Sequence, residues 1–480
     1  MNVLLIRPRP PAETIGLQHV MICEPLELEY AAANVDVQEA NITILDMILE
    51  KKPLSHFLGL YQPAVVGLTG YITHLNVIKG YARQIKALLP HCLVVVGGVH
   101  GEVLPQDLED PSIDVVLESY ALEAFNQFLH LIQQHKKIDT WNTTDESPDK
   151  KTSTTQIKPQ VIDMMKKQIK GVYQPGCRQP KASSFVHAFP DRTKTARYRH
   201  QYYYMFHRPC ALMKTSFGCP YQCTFCFCRQ ITGNQYFTRP LEEVLDELEQ
   251  ITEEEIYIVD DDFLASKERV LDFCRGLEER QIQKKFLVYG RADFIASHPE
   301  VISQFRQRGL QAVIVGLESY REEDLDTYHK QTSRKENERA VRVLQQHHVA
   351  VYATMILDPD FTKADFRHLG QWLKQLDLMF VNLQPLTPLP GTPLYDEYRD
   401  RLIIPDTEVE KWDLAHLVIQ PGYMSVRQYY VQLLSLYFKI TLRPQNVMAM
   451  IRQYGFRSTL SLSVGSSHIT RQYLKKILKG

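Results

Sequence analysis

Two series of short, continuously apolar segments, each spaced by helix-length stretches, constrain this 480-residue chain more than any other feature. In the first series, residues 3–6, 42–45, 65–69, 93–96 and 115–117 read as strands, and 75–89 is the clearest helix between them. A strand that is apolar on both faces needs cover on both, and helices alternating with strands supply it. The spacing therefore predicts an α/β fold, opening with a doubly wound parallel sheet over residues 1–132. The second series places strands at 212–216, 256–259, 286–289, 312–315, 351–356 and 380–383, with helices such as 241–249 and 336–346 between them. Six parallel strands at this spacing predict a partial (β/α)6 barrel over residues 205–400. In both arrangements ligands bind at the carboxyl ends of the strands.

Residues 133–204 read as a connection: the pattern dissolves into polar residues, and the run 143–151 is too polar to bury anything. The stretch is long enough for part of it to pack on a neighbour or cover a site. The tail, residues 401–480, reads as helical, including 426–441. A formal charge of −1 gives no bulk attraction to nucleic acid or anionic membrane. The apolar start is cut short by Arg7 and Pro8, which argues against a signal peptide, and no run is long enough to span a membrane. A cytoplasmic protein is expected.

Four of the nine cysteines crowd between Cys219 and Cys228, which argues for metal ligation in a reducing compartment. Cys219, Cys223 and Cys226 follow the first strand of the second series, so three thiols share one tight loop at a strand's carboxyl end. Three thiolates can hold three irons of a four-iron cluster and leave the fourth open, whereas a closed electron-transfer cluster wants four cysteines. The spacing predicts a reactive cluster. The rival readings are a zinc site, which normally wants a second pair of ligands absent downstream, and a set of unrelated buried thiols. Cys228 is separated from Cys226 by one residue only and reads as a buried thiol rather than a ligand.

This C-x3-C-x-Phe-C loop at the head of a six-strand series resembles the radical S-adenosylmethionine (radical SAM) superfamily. The resemblance implies a 4Fe-4S cluster on Cys219, Cys223 and Cys226, S-adenosylmethionine chelated to the open iron, and reductive cleavage to a deoxyadenosyl radical. It implies Phe225 near the adenine and, at other strand ends, Arg291 and Glu318 toward the methionine and ribose parts. Many members carry Gly-Gly-Glu at the second strand end to meet the methionine amine. Here Asp260, Asp261 and Asp262 stand instead, and Asp260 is carried over as the cofactor-binding acid. The Pro- and Gly391-containing loop at 385–394 also resembles the superfamily.

In the first domain, strand 93–96 runs into Gly97 and Gly98, and strand 65–69 ends at Thr69 and Gly70. Glycines at such an edge let a ligand approach the backbone closely. Ahead of a radical SAM barrel this is similar to the cobalamin-binding domain of the subfamily that contains the bacteriochlorophyll oxidative cyclase and the hopanoid methylases. That resemblance implies that Thr69, Gly70, Gly97 and Gly98 line the corrinoid's nucleotide tail. The turn 46–50 lacks the histidine of the Asp-x-His-x-x-Gly motif, and residues 118–123 depart from the Gly-Glu-Gly-Glu of many relatives.

The expected function is methylation of an unactivated carbon by a radical SAM enzyme using cobalamin. The alternative is a non-methylating oxidative cyclisation or rearrangement. A corrinoid sensor would not need three thiolates, and the basic end 475–480 is too short for an RNA-binding module. Expected partners are a small-molecule or lipid-like substrate and an electron donor such as flavodoxin or ferredoxin, with no nucleic acid and no membrane span. The aromatic run at 198–206 would line an apolar pocket or pack an interface, and 412–417 resembles tails of the hopanoid methylase branch.

Overall fold

The structure is a computed structural model that describes residues 1–16, 20–142, 159–181 and 187–479. The chain divides into two compact units, Met1–Pro11 with Pro25–Tyr198, and Ala12–Glu24 with Arg199–Gly480.

The first unit holds five parallel strands: β1 (Asn2–Arg7), β2 (Asn41–Asp46), β3 (Val65–Thr69), β4 (Leu93–Gly97) and β5 (Val115–Val116), in the order β2-β1-β3-β4-β5. The order reverses between β1 and β3, the switch point at which such sheets bind ligands. Helix α1 (Leu75–Leu88) buries Leu75, Ile78, Ala82 and Ile85, a spacing of three and four that turns one stripe inward. Helix α2 (Ala121–Asn142) packs Phe125, Phe128, Leu129 and Ile132 into the sheet's core.

The stretch read as a connection begins inside α2 and contributes helix α3 (Pro159–Gln168) to this unit. Ile162 and Met165 of α3, and Ile169 and Val172 just beyond it, all enter the first core, so four apolar residues outweigh the polar average around them. The polar run at 143–151 lies outside the described residues.

The second unit holds six parallel strands in sequential order: β6 (Cys210–Met213), β7 (Glu255–Ile258), β8 (Lys285–Gly290), β9 (Leu310–Glu318), β10 (Ala350–Leu357) and β11 (Phe380–Pro385). Five of them match the expected segments closely. β6 ends earlier than expected, because Asp260 captures the Thr215 amide and hydroxyl. Ser216 and Phe217 then leave the sheet and pair antiparallel with Phe237 and Thr238.

In the aromatic run, Tyr204 packs edge-on to Tyr257 at 5.0 Å and stacks on Tyr352 at 6.1 Å. Phe206 stacks on Tyr454 at 3.8 Å. Tyr257 and Tyr352 belong to β7 and β10, so part of the run packs on strands of its own unit. The tail forms helices α4 (Val426–Thr441), α5 (Pro444–Tyr454) and α6 (Phe456–Lys479). Ser425 and Gln428 cap α4 reciprocally, and the Tyr429 hydroxyl donates to the Leu357 carbonyl at 2.8 Å, fastening α4 to the end of β10. Among the described residues, no helix is long and apolar enough to cross a membrane.

Candidate functional site

Beyond β6 the chain turns at Gly218, whose φ of +78° places a would-be Cβ 2.2 Å from the Gln235 carbonyl oxygen, so only glycine fits. The Gly218 amide donates to Asp261 at 3.1 Å. At the loop's far end the Thr224 amide donates to the Tyr328 carbonyl at 3.1 Å, and Phe225 meets the Tyr328 ring edge-on at 5.7 Å. Cys219, Cys223 and Cys226 are thus carried on a loop held at both ends. Cys223 is buried, and Cys219 and Cys226 are partly exposed.

Burial pushes the Cys219 thiol up to about 12 and raises Cys223, while a hydrogen bond with Cys228 holds Cys226 down. Thiols of this kind ionise when a metal arrives to compensate the charge. Among the described residues, no three His, Cys, Asp or Glu side chains are gathered around one point as for a single ion.

The three consecutive aspartates after β7 have different surroundings. Asp260 is buried and accepts from the Thr215 amide at 2.6 Å, the Thr215 hydroxyl at 2.5 Å and the Ser216 hydroxyl at 2.7 Å. Three of its acceptor positions are committed to the chain's own donors. Asp262 is 2% exposed, and neither carboxylate oxygen has a hydrogen-bond partner of good geometry among the described residues. Burial raises its pKa to about 7, against the pull of Arg291 and Lys330. A buried carboxylate so poorly provided with donors is costly in the ionised form, and it remains able to accept a hydrogen bond from a group outside the chain.

Arg291 donates to Asp293 at 3.0 Å and to the Lys330 carbonyl at 2.6 Å, and its guanidinium lies 3.5 Å from the centre of the Tyr221 ring inside the cysteine loop. Glu318, at φ +58°, accepts from Lys330 Nζ at 2.8 Å with both side chains buried. Gly316 leaves the room for this: a Cβ there would stand 2.1 Å from Glu318 Oε1. Burial alone would lower the Lys330 pKa, but Glu318 and Cys223 outweigh it and hold it raised. Arg291, Lys330 and Glu318 thus lie close enough to act electrostatically on Cys223, and Asp262 on Cys219. No motif marks Lys330. Its only sequence signal is a lone cation in the loop between two helical patterns.

In the first unit, Thr69 and Gly97 are register partners at the carboxyl edge of β3 and β4, so Thr69, Gly70, Gly97 and Gly98 form one continuous edge. Gly98 has φ +88°, and a Cβ on it would stand 2.5 Å from Thr69 Oγ1 and 3.1 Å from the Gly70 amide nitrogen. A Cβ on Gly97 would meet Leu117 no closer than 3.5 Å. His74 lies beside Gly70, its pKa lowered to about 4 by burial and then by Arg7. His100 is buried, with Nε2 3.2 Å from Asp107. The turn after β2 is held by an Arg7–Asp46 pair. Glu118 is held by Arg178 at 3.0 Å and the Gln179 amide at 3.2 Å, so the segment beyond α3 occupies the acid that departs from the Gly-Glu-Gly-Glu pattern.

Residues 213–373 match the Radical SAM superfamily and residues 14–129 match the B12 binding domain. The chain is 24% identical to the hopanoid C-3 methylase of Methylococcus capsulatus, over 90% of this chain and 79% of that protein. It is 21% identical to the anaerobic magnesium-protoporphyrin IX monomethyl ester cyclase of Rubrivivax gelatinosus, over 76% of this chain and 63% of that one. Among solved structures, the radical S-adenosylmethionine methyltransferase TsrM from Kitasatospora setae, with cobalamin and a 4Fe-4S cluster bound, aligns with a TM-score of 0.66 at 15% identity, covering 99% of both chains. The cobalamin-dependent S-adenosylmethionine radical enzyme OxsB aligns with a TM-score of 0.67 at 15% identity, over 98% of this chain and 72% of that one. At these identities the structures speak for the fold.

Proposed function

We infer, for a chain that belongs to the cobalamin-dependent radical SAM family, that it transfers a methyl group to an unactivated carbon of a small, lipid-like substrate. The observation that carries this is the match to a hopanoid methylase along 90% of the chain, both units included. Within the second unit, Cys219, Cys223 and Cys226 would hold the cluster. Asp262, rather than Asp260, would receive the methionine ammonium, because Asp260 already accepts three hydrogen bonds from the chain while Asp262 has no well-formed one among the described residues. Lys330 and Arg291 would balance the methionine carboxylate, Phe225 would lie against the adenine, and Glu318 would face the ribose. Asp260 would keep the loop's approach in place through Thr215 and Ser216.

In the first unit, Thr69, Gly70, Gly97 and Gly98 would admit the cobalamin tail along a backbone without side chains. When bound, these cofactors supply a deoxyadenosyl radical and a transferable methyl group. The one-electron supply would come from a small redox protein such as a flavodoxin or ferredoxin. The cyclase relatives favour a second reading, oxidative cyclisation without methyl transfer.

Anaerobic turnover of lipid fractions with S-adenosylmethionine carrying a deuterated methyl group separates the two. Retention of the labelled methyl in product supports methylation. Deoxyadenosine formation with an altered but unlabelled product moves cyclisation to first place.

A further inference from the structure

We propose that the C-terminal helices α4 to α6 form a docking surface for an anionic lipid bilayer, on which the protein lies without crossing it. The first observation is charge. From Val426 to Gly480 the chain carries nine Lys and Arg and no Asp or Glu, so a chain of formal charge −1 has +9 here and −10 elsewhere. The basic end at 475–480 is the last part of a region that is basic throughout.

The second observation is an apolar stripe on α6 that nothing among the described residues covers. Phe456 is 64% exposed, Leu460 52%, Val464 54%, Leu474 43% and Leu478 79%. At 3.6 residues per turn these five fall within an arc of roughly 80°. The opposite face of the helix is the one that packs, through the buried Thr459, Gly465 and Tyr473. Exposed Arg471 falls within the stripe, and exposed Arg457 and Lys475 flank it. Leu442 at the end of α4 and Met448 on α5 add further exposed apolar surface, at 63% and 51%.

An apolar stripe edged by cations on a helix too polar to span is what binds in the plane of a bilayer interface: the apolar side chains enter the acyl boundary and the cations meet anionic headgroups. A nucleic acid would take the cations but has nothing to offer five exposed aliphatic and aromatic side chains on one stripe. A second copy docking face to face would oppose +9 to +9.

The proposal stands apart from the substrate reading, and its test involves no turnover. The anaerobically purified holoprotein is floated with vesicles of phosphatidylcholine alone and of phosphatidylcholine with phosphatidylglycerol, at low and at physiological salt. The expected result is flotation with the anionic vesicles only, weakened by salt. Arg457→Gln with Lys475→Gln should lower partitioning about thirtyfold, and Phe456→Ser with Leu460→Ser should abolish it. Circular dichroism and cleavage of S-adenosylmethionine should be unchanged in both variants, since neither touches the cysteine loop. The proposal is overturned by absence of flotation, by equal binding to uncharged vesicles, by salt-sensitive binding of duplex RNA with the vesicles unbound, or by a concentration-dependent dimer that the Phe456/Leu460 variant dissolves.

Discussion

The two candidate sites lie at the carboxyl ends of parallel strands, yet they are built by opposite means. The site beside the cysteine loop is made of charges held ready: Asp262 without a well-formed hydrogen bond among the described residues, Lys330 on Glu318, Arg291 on Asp293 and Tyr221. The edge of the first unit is made of side chains withheld: Gly70, Gly97 and Gly98 beside Thr69, with Gly98 in a backbone conformation that only glycine adopts readily. A small zwitterionic ligand is recognised by pairing its charges, and a large corrinoid by leaving a path for it. Removing a side chain should therefore damage the first kind of site and adding one the second.

The largest effect expected is at the cysteines. Replacing Cys219, Cys223 and Cys226 together by alanine should remove the cluster's iron and all cleavage of S-adenosylmethionine, whereas Cys228→Ala should keep a cluster. Anaerobic iron and sulfide analysis reads both. A full cluster in the triple variant would break the ligand assignment, and its loss in Cys228→Ala would make that thiol a ligand.

Next is the glycine edge. Gly98→Leu should keep its iron and still form deoxyadenosine slowly, but bind little cobalamin and yield no methylated product. Gly97→Ala should lower cobalamin binding less, because its Cβ meets only ordinary contacts with Leu117 within the chain and leaves the backbone unstrained. Corrinoid stoichiometry by absorption decides between them. Parent-like loading of Gly98→Leu would mean that the first unit holds the cofactor elsewhere.

Smaller, and a sharper test of pairing, is the contrast between neighbouring aspartates. Asp262→Asn should weaken S-adenosylmethionine binding about 10- to 100-fold with iron retained, the loss of one charge-assisted hydrogen bond. Asp260→Asn should instead cost about 1–3 kcal/mol of stability, since three of its hydrogen bonds hold Thr215 and Ser216. Calorimetric titration and chemical denaturation of both variants would reveal a reversal, which would return the ammonium-binding role to Asp260.

Nearly all of the fold was legible because buried parallel strands announce themselves as apolar runs. The exceptions have local causes. β6 ends at Met213 because Asp260, distant in sequence, binds Thr215, and no local pattern records that. Residues 159–172 join the first core through four apolar positions set among polar ones. The position of the cysteine loop just beyond β6 was legible from the sequence. The choice among Asp260, Asp261 and Asp262 was not, because it depends on which donors the fold brings to each. Lys330 was invisible for the same reason: its role comes from Glu318 and Cys223, brought near it by folding. The aromatic run at 198–206 showed its composition but not its partners, Tyr257, Tyr352 and Tyr454.

The smallest effect expected separates the two sites by the sign of their pH dependence in the cofactor-free protein. Asp262 has a folded pKa raised from 3.8 to about 7, so the folded state holds a proton that the unfolded chain releases. Its contribution to stability is greatest below about pH 4 and is lost as pH rises to 7. His74 has a folded pKa lowered from 6.5 to about 4, so the unfolded chain takes up a proton that the folded state refuses. Its contribution is intact above about pH 6.5 and is lost as pH falls to 4. Hydrogen-exchange protection should thus weaken with rising pH around Asp262 and with falling pH around His74. Correcting for the intrinsic pH dependence of exchange isolates the two terms. Asp262→Asn should flatten the first slope and leave the second, and His74→Gln should do the reverse. If Asp262→Asn left both slopes unchanged, the carboxylate would have a donor in solution, and the charged, waiting character assigned to that site would fail.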